Sequence, residues 1–140
     1  MSVQILLESD EGRVPFAYQD SLGFWTIGVG HLIDQRKGGG LPDPIIDLLL
    51  DYDIQSKTTE LFKALPWVAN LNEPRRTVLI CMAFQLGVPG LLTFRNTLAV
   101  LKAGDYNRAA DMFLQSRVAR EQTPLRWKRF AKQIRTGVNS

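Results

Sequence analysis

The chain reads as an α+β protein, a small β-rich segment followed by a larger all-helical one. Three observations predict it. Residues 12–33 are dense in glycine and aromatics, and Trp25-Thr26-Ile27-Gly28-Val29 alternates large apolar with small or polar residues, the period of two of a strand with one face covered. From residue 43 onward apolar residues recur at helical spacing, with cap-then-proline signals at Asp43-Pro44 and Thr123-Pro124. The 140 residues, 45 % of them apolar, suffice for one domain with its own core.

The elements follow in order. Val3, Leu7 and Glu11 lie four apart, widened by Leu6, so a first helix is expected from about Ser2 to Glu11. Gly12 stops it. A β-hairpin and a third short strand run to about Ile33, and DQRKGGG (34–40) is a loop. A long helix runs from Pro44 to about Ala64, with Leu48, Leu49, Tyr52, Leu61 and Phe62 near helical spacing, and Pro66 ends it. Asn72 caps a helix from Glu73 to about Leu86 that is apolar nearly all round, hence expected to be buried. GVPG (87–90) reads as a turn, Thr93 opens a helix that stops at Gly104, and Asp105 caps another to about Gln115. Thr123-Pro124 opens the last helix, to about Arg135.

Composition narrows the function. One cysteine and one histidine offer neither an internal disulfide nor a metal-ligand cluster, so no metal or other cofactor is expected. Cys81, inside LICMAF, reads as a small core residue. MSVQILLESD has neither the positive start nor the apolar run of a signal peptide, and no stretch approaches a transmembrane length. The expectation is a protein made in a cytoplasm. Residues 1–74 carry five Lys and Arg against eleven Asp and Glu, whereas residues 75–140 carry twelve against three. A basic second half suits a polyanionic partner. RWKRFAKQIR (126–135) is cationic, with Trp127, Phe130, Ala131 and Ile134 at helical spacing. It reads either as an amphipathic helix touching lipopolysaccharide or membrane, or as the inward face of a terminal helix. No helix-turn-helix, glycine-rich or stacking motif accompanies the charge, so nucleic acid is not an expected partner. A monomer is the default.

Chemistry concentrates in ESDEGRVPFAYQDSLGFWTIGVGHL. Glu11 closes an apolar helix stripe at the negative end of the helix dipole, where a carboxyl keeps its proton more readily. Asp20 sits in QDSLGF, a β-turn in which the Asp side chain takes backbone amides. Alternation puts Thr26 opposite Trp25 and Ile27, with its hydroxyl toward a cleft. Singly each residue has an ordinary structural reading. Together, two carboxylates on different elements and a hydroxyl are what acid-catalysed glycoside hydrolysis needs.

Glu11-Gly12, Asp20 and GFWTIGVGH (23–31) resemble the phage-type lysozymes, glycoside hydrolase family 24. RRTVLICMAFQLG (75–87), FRNTLAVL (94–101), QTPLRWKRF (122–130) and RTG (135–137) continue the resemblance over nearly the whole chain. It implies a two-lobed lysozyme-like fold, a small β-hairpin lobe and a larger all-helical lobe joined by a long helix. Residues of about 12–60 would form the first lobe and linking helix, and about 1–11 with about 65–140 the helical lobe, in a single catalytic domain. It implies an endolysin that hydrolyses the β-1,4 bond between N-acetylmuramic acid and N-acetylglucosamine with inversion, for host-cell lysis after holin-type release. Glu11 would be the general acid, with Asp20 and Thr26 positioning the attacking water. Leu32, Phe84, Gln85 and Thr97 would contact substrate. His31 with Asp53, Asp10 with Arg129, and Arg126 with Glu11 would be supporting pairs.

The chain departs from the family pattern at Met112, where some relatives have a substrate-contacting Asn, and at Leu125, usually polar. The segment before the long helix is shorter and the aromatic tail of some relatives is missing. Rival readings are a wall-binding module without catalysis, a membrane-active protein and a transglycosylase using the same cleft.

Overall fold

The computed structural model describes residues 3–34 and 40–140, in two compact units, Met1–Leu49 and Leu50–Ser140. The division falls inside a long helix, α2 (Asp43–Ala64), which contributes residues to both. The α+β class read from the sequence is the class of the fold.

In the first unit α1 (Val3–Glu11) ends where expected. Gly12 has φ of 74°, and its N–H donates to the Glu8 carbonyl at 3.0 Å, a left-handed stop that glycine adopts without steric cost. Three antiparallel strands follow in the order β1 (Val14–Gln19), β2 (Trp25–Gly28) and β3 (His31–Leu32). Tyr18 pairs with Thr26, and Thr26 pairs in turn with Leu32; an irregularity lies between Val14 and Tyr18. Thr26 is buried at the centre of the sheet, while Trp25 and Ile27 are half-buried. α1 buries none of its apolar residues. Of the loop expected over 34–40, residues 35–39 lie outside the described residues.

The second unit contains the rest of α2, a 3₁₀ turn (Pro66–Asn70), α3 (Glu73–Leu86), α4 (Val88–Leu92), α5 (Arg95–Lys102), α6 (Tyr106–Leu114), a π turn (Val118–Gln122) and α7 (Pro124–Thr136). Two expected caps form: Asn72 accepts from the Arg75 N–H at 3.3 Å, and Asp105 from the Arg108 N–H at 3.2 Å. The core gathers Leu61, Leu79, Met82, Leu101, Phe113 and Trp127 at 0 % exposure. The Trp127 ring is the hub of an aromatic cluster, with the rings of Phe94, Phe113 and Phe130 at 5.9, 5.9 and 6.0 Å.

Several expectations need correction. GVPG is not a turn: Gly87, at φ 73°, precedes α4, and Pro89 sits in the first turn of that helix, where its missing N–H costs nothing. Helix α3 is not buried all round. Val78, Leu79, Met82 and Ala83 face the core, but Cys81 and Phe84 are exposed. Cys81 is therefore no core residue. Of the spaced apolar residues in α2, only Leu61 is buried; Leu48, Leu49 and Tyr52 are exposed. The apolar stripe of α7 is its inward face, with Trp127, Ala131 and Ile134 in the core. It is thus not free to enter a membrane, whereas Arg126, Lys128, Arg129 and Lys132 are exposed.

Candidate active site

The first unit holds the catalytic candidates Glu11, Asp20 and Thr26, with His31 and Leu32 beside them in the sheet. Glu11 is the last residue of α1, and its carboxyl lies against the turn between β2 and β3. A Cβ built on Gly30 would stand 2.9 Å from Glu11 Oε2 and 3.0 Å from both Cδ and Cγ. Gly30 also has φ of 61°. Both the conformation and the close approach require glycine. The apolar surroundings expected of Glu11 are not supplied by its own unit, since Glu11 is exposed and α1 buries no residue.

Asp20 forms the turn its sequence predicts. Its Oδ1 accepts the N–H groups of Leu22 and Phe24, each at 2.9 Å. The backbone closes the same turn, with Asp20 N–H donating to Phe24 O at 2.8 Å and Gly23 N–H to Asp20 O at 3.0 Å. Both side-chain bonds fall on one oxygen, so among the described residues Oδ2 takes no protein donor and is available to a water. The carboxylate is held at a fixed angle without being consumed.

Thr26 differs from its expectation. It is 6 % exposed, and its hydroxyl donates to the Phe24 carbonyl at 3.3 Å. Its proton is spoken for, but a hydroxyl oxygen keeps acceptor capacity for a water's proton. The same Phe24 residue takes Asp20 through its N–H and Thr26 through its carbonyl, so the two side chains are held by the two peptide groups that flank one Cα. Leu32 is the cross-strand partner of Thr26, and His31 that of Ile27; both are exposed.

In the second unit a groove of about 600 Å³ is walled by Ile54, Ile80, Phe84 and Phe130, with Gln85, Arg126 and Arg129 also lining it. Phe84, Gln85, Arg126 and Arg129 were each singled out in the sequence, and the fold brings all four to this groove. Gln85 is fixed at both ends: its Nε2 donates to Thr123 Oγ1 at 3.0 Å, and its Oε1 accepts from Trp127 Nε1 at 3.1 Å. Cys81 lines the groove too. Although the residue is exposed, the groove wall screens its sulfur from part of the solvent; that partial desolvation pushes the thiol above the ordinary range, and the nearby Arg126 charge pulls the other way. Asp10 and Asp53 are exposed. Thr97 is 6 % exposed and lies on the core side of α5 with Leu98 and Leu101. Among the described residues no group of His, Cys, Asp or Glu has the grouping of a metal site.

Sequence reading missed three residues. Gly30 was visible only as the second glycine of GVGH. Thr123 read as a helix cap, yet it makes no side-chain cap bond and turns its hydroxyl to Gln85. Trp127 read as one of an apolar stripe, and nothing in its neighbours marks the indole N–H as a partner for a residue 42 positions away.

A family model described as phage lysozyme matches residues 8–131. Among curated proteins, the chain is 29 % identical to probable T4-type lysozyme 1 of Dictyostelium discoideum, over 98 % of this chain and 95 % of the relative. It is 26 % identical to probable T4-type lysozyme 2 of the same organism, with the same coverage. It is also 29 % identical to the pre-baseplate central spike protein Gp5 of Enterobacteria phage T4, over 78 % of this chain but 23 % of that protein.

Proposed function

The chain belongs to the phage lysozyme family, a lysozyme-type glycoside hydrolase of peptidoglycan, and from that premise we propose an inverting muramidase with Glu11 as acid and Asp20 as base. The scissile bond is the β-1,4 link between N-acetylmuramic acid and N-acetylglucosamine. The Glu11 carboxyl gives its proton to the glycosidic oxygen as the C1–O bond breaks. A water held by Asp20 Oδ2 and the Thr26 oxygen adds to C1 from the opposite face, and its proton passes to Asp20. That geometry calls for carboxyls roughly 6.5–9.5 Å apart, room for one water.

The observation that carries the reading is the way one short stretch of backbone holds both carboxyls: bare Gly30 against Glu11, and two amides on Asp20 Oδ1. The amides on Asp20 make an Asx turn in any case; the close approach of Glu11 to a bare Gly30 is what a turn alone does not call for. His31, Asp10, Asp53, Arg126 and Arg129 enter the proposal as supporting residues, and Leu32, Phe84 and Gln85 as substrate contacts. Host-cell lysis is the proposed setting, and the exposed cations of α7 are the proposed contact with anionic envelope polymers.

Clearing of chloroform-treated Gram-negative walls, with mass and anomer analysis of the products, is the test. Glu11→Gln should lower the rate by about 10²–10⁴-fold, the usual worth of a general acid, while the protein stays folded. Wild type should release reducing muramic ends of α configuration. β products would overturn inversion, anhydro ends would indicate transglycosylation, and unimpaired clearing by Glu11→Gln would remove Glu11 as the acid.

A further inference from the structure

We propose that Trp127 and Thr123 are positioning residues for the Gln85 amide at the groove, Trp127 setting its polarity and Thr123 anchoring its nitrogen end. The inference rests on the functional reading above and names residues that reading leaves out. An amide side chain can flip, exchanging its carbonyl for its NH₂. At Gln85 the flip is chemically barred. An indole N–H can only donate, so the group 3.1 Å from Trp127 Nε1 must be the Gln85 oxygen. The nitrogen then points to Thr123 Oγ1, 3.0 Å away. A flipped amide would set NH₂ against N–H.

The partners are themselves immobile. Trp127 is 0 % exposed and lies among Phe94, Phe113 and Phe130. Thr123 ends the π turn, its own N–H donating to the Val118 carbonyl at 3.0 Å. That wide turn delivers the hydroxyl sideways, to Gln85, rather than over the first turn of α7, where a threonine before proline ordinarily caps. One N–H and one carbonyl lone pair of Gln85 are used in this way. The second of each is left, on a half-buried side chain that lines the groove. The result is a donor and an acceptor whose order is set before a ligand arrives, as directional recognition of a saccharide requires.

The test is a mutant cycle on soluble peptidoglycan fragments. Thr123→Val removes the acceptor with little change of shape, and Thr123→Ser keeps it. Thr123→Val is expected to raise KM about five- to tenfold with kcat within about twofold, Thr123→Ser to behave as wild type, and Thr123→Val to have no further effect in a Gln85→Ala background. A second readout is independent of turnover: the side-chain NH₂ resonances of Gln85 should keep their positions in Thr123→Ser and move toward those of a free amide in Thr123→Val, which loses the Nε2–Oγ1 bond. A wild-type KM for Thr123→Val, or the same loss in the Gln85→Ala background, would overturn the proposal, as would unchanged Gln85 resonances. If those resonances move as expected but Gln85→Ala leaves KM unchanged, the amide is anchored and its role as a substrate contact is overturned.

Discussion

Replacing Gly30 by alanine separates the two demands placed on that residue. The first is conformational. At φ of 61° an alanine costs roughly 1–2 kcal/mol. Gly28 makes the same demand, at φ of 68°, but a Cβ there meets nothing within 4 Å. Gly28→Ala is therefore a matched control for the backbone term. The second demand is contact. At Gly30 the new Cβ would stand 2.9 Å from Oε2 and 3.0 Å from Cγ and Cδ of Glu11. Ordinary contact begins near 3.4 Å, so the carboxyl must retreat by about half an ångström. A side chain at the end of a helix can do this cheaply, so the contact adds little to the stability loss. Its cost falls on catalysis: a 1 Å misplacement can forfeit about 10²-fold in rate, so half of that implies about tenfold. Both variants should melt a few degrees below wild type. Only Gly30→Ala should also clear cell walls about ten times more slowly per folded molecule. Equal clearing rates for the two variants would refute the reasoning, because the Glu11 contact would then carry no catalytic weight.

Two further outcomes follow from the second unit. Arg75 donates from Nε to the Ile134 carbonyl at 2.7 Å and from Nη2 to the Arg135 carbonyl at 3.4 Å, with its guanidinium 3.6 Å from the centre of the Tyr106 ring; Arg75→Lys keeps the charge, loses the planar fork and should cost about 2–3 kcal/mol in urea unfolding. The raised Cys81 thiol should reach half its maximal iodoacetamide reactivity at a pH above that of an ordinary cysteine, and Arg126→Gln should move that midpoint higher still, since the guanidinium favours the thiolate; a midpoint unmoved by Arg126→Gln would remove the charge as a cause.

What was legible in the sequence was short in range. Gly12 stops α1 through a bond to Glu8, Asp20 closes a turn with Leu22 and Phe24, and Asn72 and Asp105 cap with residues three positions on. Each outcome depends on side chains within four residues, and residue type alone sets it. Where a distant partner competes, the local reading fails. Thr123 has the sequence of a cap, but Gln85 offers its hydroxyl a donor from 38 positions away. Cys81 has the neighbours of a core residue, but which side of an all-apolar helix meets the core is decided by what packs on it. In α3 that is the side of Val78, Leu79 and Met82, leaving Cys81 and Phe84 on the groove.

The same distinction explains why the proposed catalytic trio could be picked out while Gly30, set against Glu11, could not. Glu11, Asp20 and Thr26 bear chemistry that shows in their side chains. What holds them is backbone: the amides of Leu22 and Phe24, the carbonyl of Phe24, and the bare chain at Gly30. A backbone group is common to every residue type, so Leu22 can change its side chain without losing the bond its N–H supplies. Glycine is the exception, because its contribution is the missing Cβ itself. An intact trio beside an altered Gly30 would therefore be a worse sign for activity than an intact Gly30 among altered turn residues. Activity of Leu22→Ala close to wild type, beside the loss in Gly30→Ala, is the pattern this argument requires.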